Sequence, residues 1–231
     1  MPDLVFRTRG CAQQGHPEFT LRFREPLLVP DLEQGLMRVL EESVARGTRF
    51  AAGETLRYGW ATLRLKERGD GTLGIEEQSS KNGEDSWDEF VDETLMQVWY
   101  QREVGRSLGV EDRLAFPTQG QAAVFCTRVD EVQRWFLARH EMPDPFSGWH
   151  LCCTDKQHDH HNDGNVLAAE LLHLTARFPF VTQFLALPVE TVVGIEGSGH
   201  IRARVMIDGE LVTPLEGSYL AALNDPETLP P

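Results

Sequence analysis

Hairpin turns constrain this chain more than any other feature of its sequence. Gly69-Asp70-Gly71 separates two strand-like runs, Trp60 to Leu65 and Thr72 to Ile75, and Asp208-Gly209 separates Ile201 to Ile207 from Glu210 to Val212. An Asp-Gly pair supplies the positive φ angles of a type I′ turn, whose twist matches two antiparallel strands. Strands joined in this way do not follow the strict strand–helix–strand alternation of a doubly wound sheet. Helical stripes interrupt the hairpins. The expected class is therefore α+β, in two subdomains, each a mostly antiparallel sheet packed with helices.

Leu4 to Phe6 and the alternating run Phe19 to Arg24 read as strands, with Phe19, Leu21 and Phe23 inward. Asp31, with Gln34 three residues on, forms a capping-box signal before the stripe Leu32, Leu36, Val39, Leu40 and Val44. Ser86-Trp87-Asp88-Glu89 is a second such signal, before a helix expected to carry Trp87, Val91, Leu95 and Val98 and to end near Gly109. Pro117 to Gly120 is the expected boundary, giving an N-terminal subdomain over 1–117, a second over 121–225 and a loose tail over 226–231. In the second half, Ala122 to Val129 reads as a buried strand and Asp130 as the cap of a helix carrying Val132, Trp135 and Phe136. Trp149 to Cys153 reads as a strand, Asp155 to Gly164 as a polar loop and Asn165 to Arg177 as a helix with Leu167, Leu171, Leu172 and Leu174 on its apolar face. Phe178-Pro179 breaks that helix, a short one follows to Leu185, and the strands from Val189 onward close the sheet. Trp60, Trp87, Trp99, Trp135 and Trp149 are all expected to be largely buried.

Hydrophobic residues make up 41% of the 231, enough for a real core. Thirty-six acids against 22 bases give a net charge of −14, a field that repels phosphate backbones and attracts a basic partner. Met1-Pro2-Asp3 is not the start of a basic signal region, and no apolar run approaches the ~20 residues of a membrane span. The expectation is a soluble, cytoplasmic protein bound to neither nucleic acid nor membrane. Cys11, Cys126, Cys152 and Cys153 fit no disulfide framework and read as reduced, buried small hydrophobes.

Candidate chemistry is sparse. His158-Asp159-His160-His161-Asn162-Asp163 follows soon after Cys152 and Cys153, and these residue types ligate zinc. The segment has neither a Cys-x-x-Cys nor a His-Glu-x-x-His spacing, so it reads as a solvent-exposed loop with Asp163 capping the next helix, and no metal is expected. Ser147 lacks the first glycine of a nucleophile elbow, the thiols of Cys126, Cys152 and Cys153 lie in apolar strands, and Gly197-Ser198-Gly199 lacks the lysine and helix of a phosphate loop. No catalytic residue and no cofactor is expected. The acidic segment is more informative. Glu76, Glu77, Glu84, Asp85, Asp88, Glu89, Asp92 and Glu93 stand against Lys81 alone, a charge of −7 in eighteen residues. A helix start accounts for acids at its first turn but not for Glu76, Glu77, Glu84 and Asp85. The whole segment is a candidate docking surface for a basic protein.

Ser147-Gly148-Trp149-His150, the polar loop, the leucine-rich segment, Arg177-Phe178-Pro179-Phe180-Val181 and Phe184-Leu185-Ala186-Leu187-Pro188 resemble the immunity-protein family numbered thirty-three of bacterial polymorphic toxin systems. The resemblance covers roughly 122–196. Gly53 to Leu56, Gly59-Trp60, the Trp87 region and Ser107-Leu108-Gly109 are similar to the N-terminal region that accompanies this domain. Phe146 stands where the family usually has an acid, and Val189-Glu190 replaces the glycine usual after Leu-Pro. Any partner-binding role of that acid does not carry over to Phe146.

The resemblance implies an antidote rather than an enzyme. Such a protein binds and neutralises a cognate secreted toxin in the producing cell, often a type VI effector and often a basic nuclease. Asp155, His158, Asp159, His160, His161 and Asp163 then form a second candidate partner-binding loop. Two other functions stay open at this point: an adaptor or regulatory module of a secretion pathway, and a small metal-dependent hydrolase using the histidine loop.

Overall fold

The computed structural model describes residues 4–26, 29–79, 86–197 and 201–225. The chain forms two compact units, 1–99 and 100–231. Each is built on a largely antiparallel sheet with helices, as the hairpin signals require. The division falls inside a helix, between Trp99 and Tyr100, rather than in the Pro117–Gly120 loop, because residues 100–116 pack with the second unit. Among the described residues, no helix is long and apolar enough to cross a membrane.

The first unit contains β1 (Leu4–Arg7), β2 (Phe19–Phe23), α1 (Leu32–Ala45), β3 (Thr55–Tyr58), β4 (Ala61–Glu67), β5 (Leu73–Ser79) and β6 (Ser86–Asp88). Its sheet runs β1-β2-β5-β4-β3, with β6 paired to the far end of β5. Among the described residues, only the short β2–β5 contact is parallel. Phe19, Leu21 and Phe23 face the core as their alternation predicts, against Leu36, Leu40 and Val44 of α1 and Leu63, Leu65 and Ile75 of the β4–β5 hairpin.

Two capping signals work differently from their sequence pattern. Asp31 adopts a left-handed conformation with φ 61° and caps no backbone amide; its carboxylate takes the Gln34 side chain instead. Ser86 is no helix cap at all. Ser86 to Asp88 pairs with β5, and α2 (Asp92–Ser107) begins three residues beyond the expected box. Its open amide at Thr94 is satisfied from outside the helix by Glu77 of β5, at 2.7 Å.

The second unit has seven strands: β7 (Ala122–Cys126), β8 (Arg134–Arg139), β9 (Phe146–Cys153), β10 (Val166–Glu170), β11 (Thr191–Gly197), β12 (Ile201–Ile207) and β13 (Glu210–Val212). They are ordered β10-β7-β9-β8-β11-β12-β13, and β7–β9 is the parallel pair. α3 (Leu171–Arg177), a single-turn-type helix over Pro179–Phe184 and α4 (Tyr219–Asn224) complete it. The Asp208-Gly209 turn has φ 54° and 82°, the two positive angles expected of it.

One expected helix and the first part of another are strands here, while Leu171–Arg177 is helical as expected. Asp130 sits in one 3-10 turn, and Trp135 and Phe136 belong to β8, which is sandwiched between β9 and β11 and gives its backbone to both. Residues 166–170 pair along the free edge of β7 before α3 begins, which leaves Leu167 52% exposed. Short apolar runs fit either period, and here an available sheet edge decided the outcome. Of the tryptophans, Trp60 and Trp149 are fully buried, while Trp87, Trp99 and Trp135 are half-buried.

Candidate functional site

The acidic segment of the first unit is mostly engaged internally. Glu76 and Glu77, read from sequence as surface acids, are 3% and 2% exposed. Glu76 accepts from Arg64 at 2.8 Å and from Lys66 at 3.0 Å across the β4–β5 pair. Burial opposes its charge, but those two cations outweigh it and hold the carboxyl below the usual carboxylate range. Among the described residues, no cation pairs with Glu77. Burial pushes its carboxyl up to about 7, against the Thr94 hydrogen bond, with Glu93 and Asp92 adding repulsion. Asp88 pairs with Arg24, Glu89 with Arg22, and Asp92 accepts from the Arg24 backbone amide at 2.9 Å. Arg64 also lies over the Trp87 ring and Arg24 over Phe90. Glu93 is half-buried in the first turn of α2. Glu84 and Asp85 lie outside the described residues. Pairing of like-charged acids with arginines from β2 and β4 explains much of a charge concentration that the linear sequence shows only as excess.

In the second unit, the residues that carry the family resemblance meet around one indole. Trp149 is fully buried in β9 and donates its Nε1–H to the Leu185 carbonyl at 2.9 Å. Arg139 of β8 lies over the same ring and donates to the carbonyls of Ala115, Leu185 and Leu187. Among the described residues no acid pairs with it, and burial brings the Arg139 guanidinium down to about 10. Gly148 is required in the strict sense. Its φ is +80°, and a Cβ there would meet the His140 carbonyl oxygen at 2.0 Å. Ser147 donates to the Ala122 carbonyl, tying β9 to β7.

β7 and β9 run parallel, so their C-terminal ends, Cys126 and Cys153, emerge side by side, with Cys153 N–H donating to Cys126 Sγ at 3.2 Å. The polar loop then folds back. Asp155 accepts from the Gln157 amide with its side chain and from the His158 amide with its carbonyl, and Arg128 holds its other carboxylate oxygen at 2.7 Å. Those hydrogen bonds keep the Asp155 carboxyl below its ordinary range, the Gln157 amide first and Arg128 after it. A second side-chain turn, Asp159 to the His161 amide, follows at once.

The result brings His158 Nδ1 and His160 Nε2 each to 3.3 Å from Cys153 Sγ. The expectation of an exposed histidine loop is thereby corrected: His158 is only 9% exposed and His160 half-buried, while Asp159, His161 and Asp163 face solvent. Neighbouring residues do point apart, but residues two apart can face the same way. The ligand atoms of Cys126, Cys153, His158 and His160 all lie within 4.8 Å of one another. Nothing in the local spacing reveals Cys126, because strand pairing alone brings it to the loop. All four cysteines are free and buried, and burial pushes Cys152, which faces elsewhere, up to about 12.

Comparison of the chain with protein-family models, with curated proteins and with solved structures gave no match.

Proposed function

We propose that this protein is an antidote: it binds a cognate bacterial toxin and neutralises it without performing catalysis. The observation that carries the reading is the cluster around Trp149. Ser147, Gly148 and Trp149 of the resembling motif and Leu185 to Leu187 of its distal part are joined by the Trp149–Leu185 and Arg139–Leu187 hydrogen bonds. Motif residues 36 apart in sequence, if their similarity were accidental, need not touch. A net charge of −14 suits a basic toxin such as a nuclease and would steer its approach.

The docking surface we favour is the loop from Asp155 to Asp163. It exposes Asp159, His161 and Asp163 on a backbone that its own side-chain turns hold in shape. A preorganised loop loses less entropy on binding than a floppy one. The acidic segment is less favoured, because Glu76, Asp88, Glu89 and Asp92 already have cationic partners. The test is growth rescue. Co-expression with the toxin encoded by the adjacent reading frame should restore growth, and the two purified proteins should form a stoichiometric complex. Growth arrest despite full expression of this protein, with no complex formed, would remove the reading.

A further inference from the structure

We propose that Cys126, Cys153, His158 and His160 together hold one zinc ion in a closed, structural site that shapes the 154–160 loop. The donor set is two sulfurs and two imidazole nitrogens, the soft tetrahedral combination zinc takes in structural sites. Zinc–sulfur bonds of about 2.3 Å and zinc–nitrogen bonds of about 2.0 Å place tetrahedral ligand atoms roughly 3.3–3.8 Å apart. Both histidine nitrogens already stand 3.3 Å from Cys153 Sγ, and no pair in the set exceeds 4.8 Å.

The Cys153 thiol can donate its one proton to one imidazole and accept an N–H from the other, so hydrogen bonds alone would hold the two rings; beyond that pairing, Cys126 Sγ stands in the same 4.8 Å set. The rings of His158 and His160 also lie edge to face with centroids 4.8 Å apart, so both turn toward the same centre. One cation at the centre satisfies all four groups. Cys126 Sγ also accepts the backbone amide of Cys153 at 3.2 Å, which ties the two strand ends together at the cluster.

The four ligands come from two strand ends and one loop, which fixes the role. Cys126 and Cys153 are anchored in the sheet, whereas His158 and His160 reach it only through the turn at Asp155. A metal bound here staples the loop to the sheet. Four protein ligands leave no open position for an activated water, so the site does not supply a metal-dependent hydrolase. This inference stands independently of the antidote reading.

Elemental analysis of the full chain, purified with any histidine tag removed and without chelator, tests it. About one zinc per chain is expected, with stoichiometry lost in Cys153→Ser and in His160→Ala and kept in His161→Ala, whose side chain is exposed just outside the set. Should Cys153→Ser fail to fold, the half-buried His160→Ala and cobalt titration of the metal-stripped native chain carry the test. Thiolate-to-cobalt charge-transfer absorption saturating at about one equivalent is then expected. A freshly purified chain without zinc that takes up neither metal, or one with Cys126 and Cys153 joined in a disulfide, would overturn the proposal. So would zinc retained in full by His160→Ala.

Discussion

Glu77 caps a helix it does not belong to. Its carboxylate, on β5, accepts the Thr94 amide of α2 at 2.7 Å, seventeen residues along the chain, while its other oxygen has no hydrogen-bond partner. The arrangement replaces the Ser86 capping box that the sequence suggests. It also sets a pH dependence. Burial raises the folded-state value to about 7, so between about 4.5 and 7 the folded chain keeps a proton that the unfolded chain releases. The stability this group contributes is complete below about 4.5 and is lost as pH rises through 7. A shift of that size is worth about 3 kcal/mol. Urea unfolding from pH 5 to 8 should therefore show Glu77→Gln gaining on the parent chain as pH rises, with the gap largest at pH 8.

Gly148 should tolerate no side chain. Gly148→Ala meets both a positive φ and the His140 carbonyl, and should cost roughly 2–4 kcal/mol. Gly209→Ala is the control. Its φ of +82° is similar, but nothing lies within 4 Å of the added methyl, and about 1 kcal/mol is expected. Paired denaturation curves measure the difference.

Arg139 binds three carbonyls and covers the Trp149 ring while buried, with no acid paired to it among the described residues. Arg139→Met keeps much of the apolar stem but orphans those carbonyls, and should cost roughly 2–4 kcal/mol. Arg134→Ala removes an exposed pair with Glu196 and should stay within about 0.5 kcal/mol. A result in which the two variants unfold alike would contradict the role given to the buried guanidinium.

The hairpins, the inward faces of β2 and the stripe of α1 were legible, Val39 excepted at 43% exposed, because each is a local pattern: turn chemistry, period two, period near four. The strand around Trp135 and the strand over 166–170 that replaces the first part of the expected Asn165–Arg177 helix were not, because a run of apolar residues carries no strand-or-helix mark until a sheet edge is available. The acids illustrate the same limit for charge. Glu76 reads as surface in sequence, yet its partners lie across the hairpin, Arg64 directly opposite and Lys66 on the diagonal. Of the metal-ligand set, Cys153, His158 and His160 were visible as neighbours, but not their convergence. The turn at Asp155 folds the loop back, and Cys126 joins only because β7 and β9 are parallel neighbours. The resemblance at Trp149 was legible as a motif; its contact with Leu185 needed the fold.

Association kinetics with the purified cognate toxin, at two salt concentrations, decide whether this chain neutralises a toxin through its 155–163 loop, as proposed. The variants to compare are Asp159→Lys with Asp163→Lys, both exposed, and Glu84→Lys with Asp85→Lys. The loop pair should weaken binding by about tenfold or more and the Glu84–Asp85 pair should keep the parent's affinity, with at most a salt-sensitive change in association rate. Undiminished binding by the loop variant, with loss in the Glu84–Asp85 variant, would contradict the proposal and return the interface to the acidic segment of the first unit.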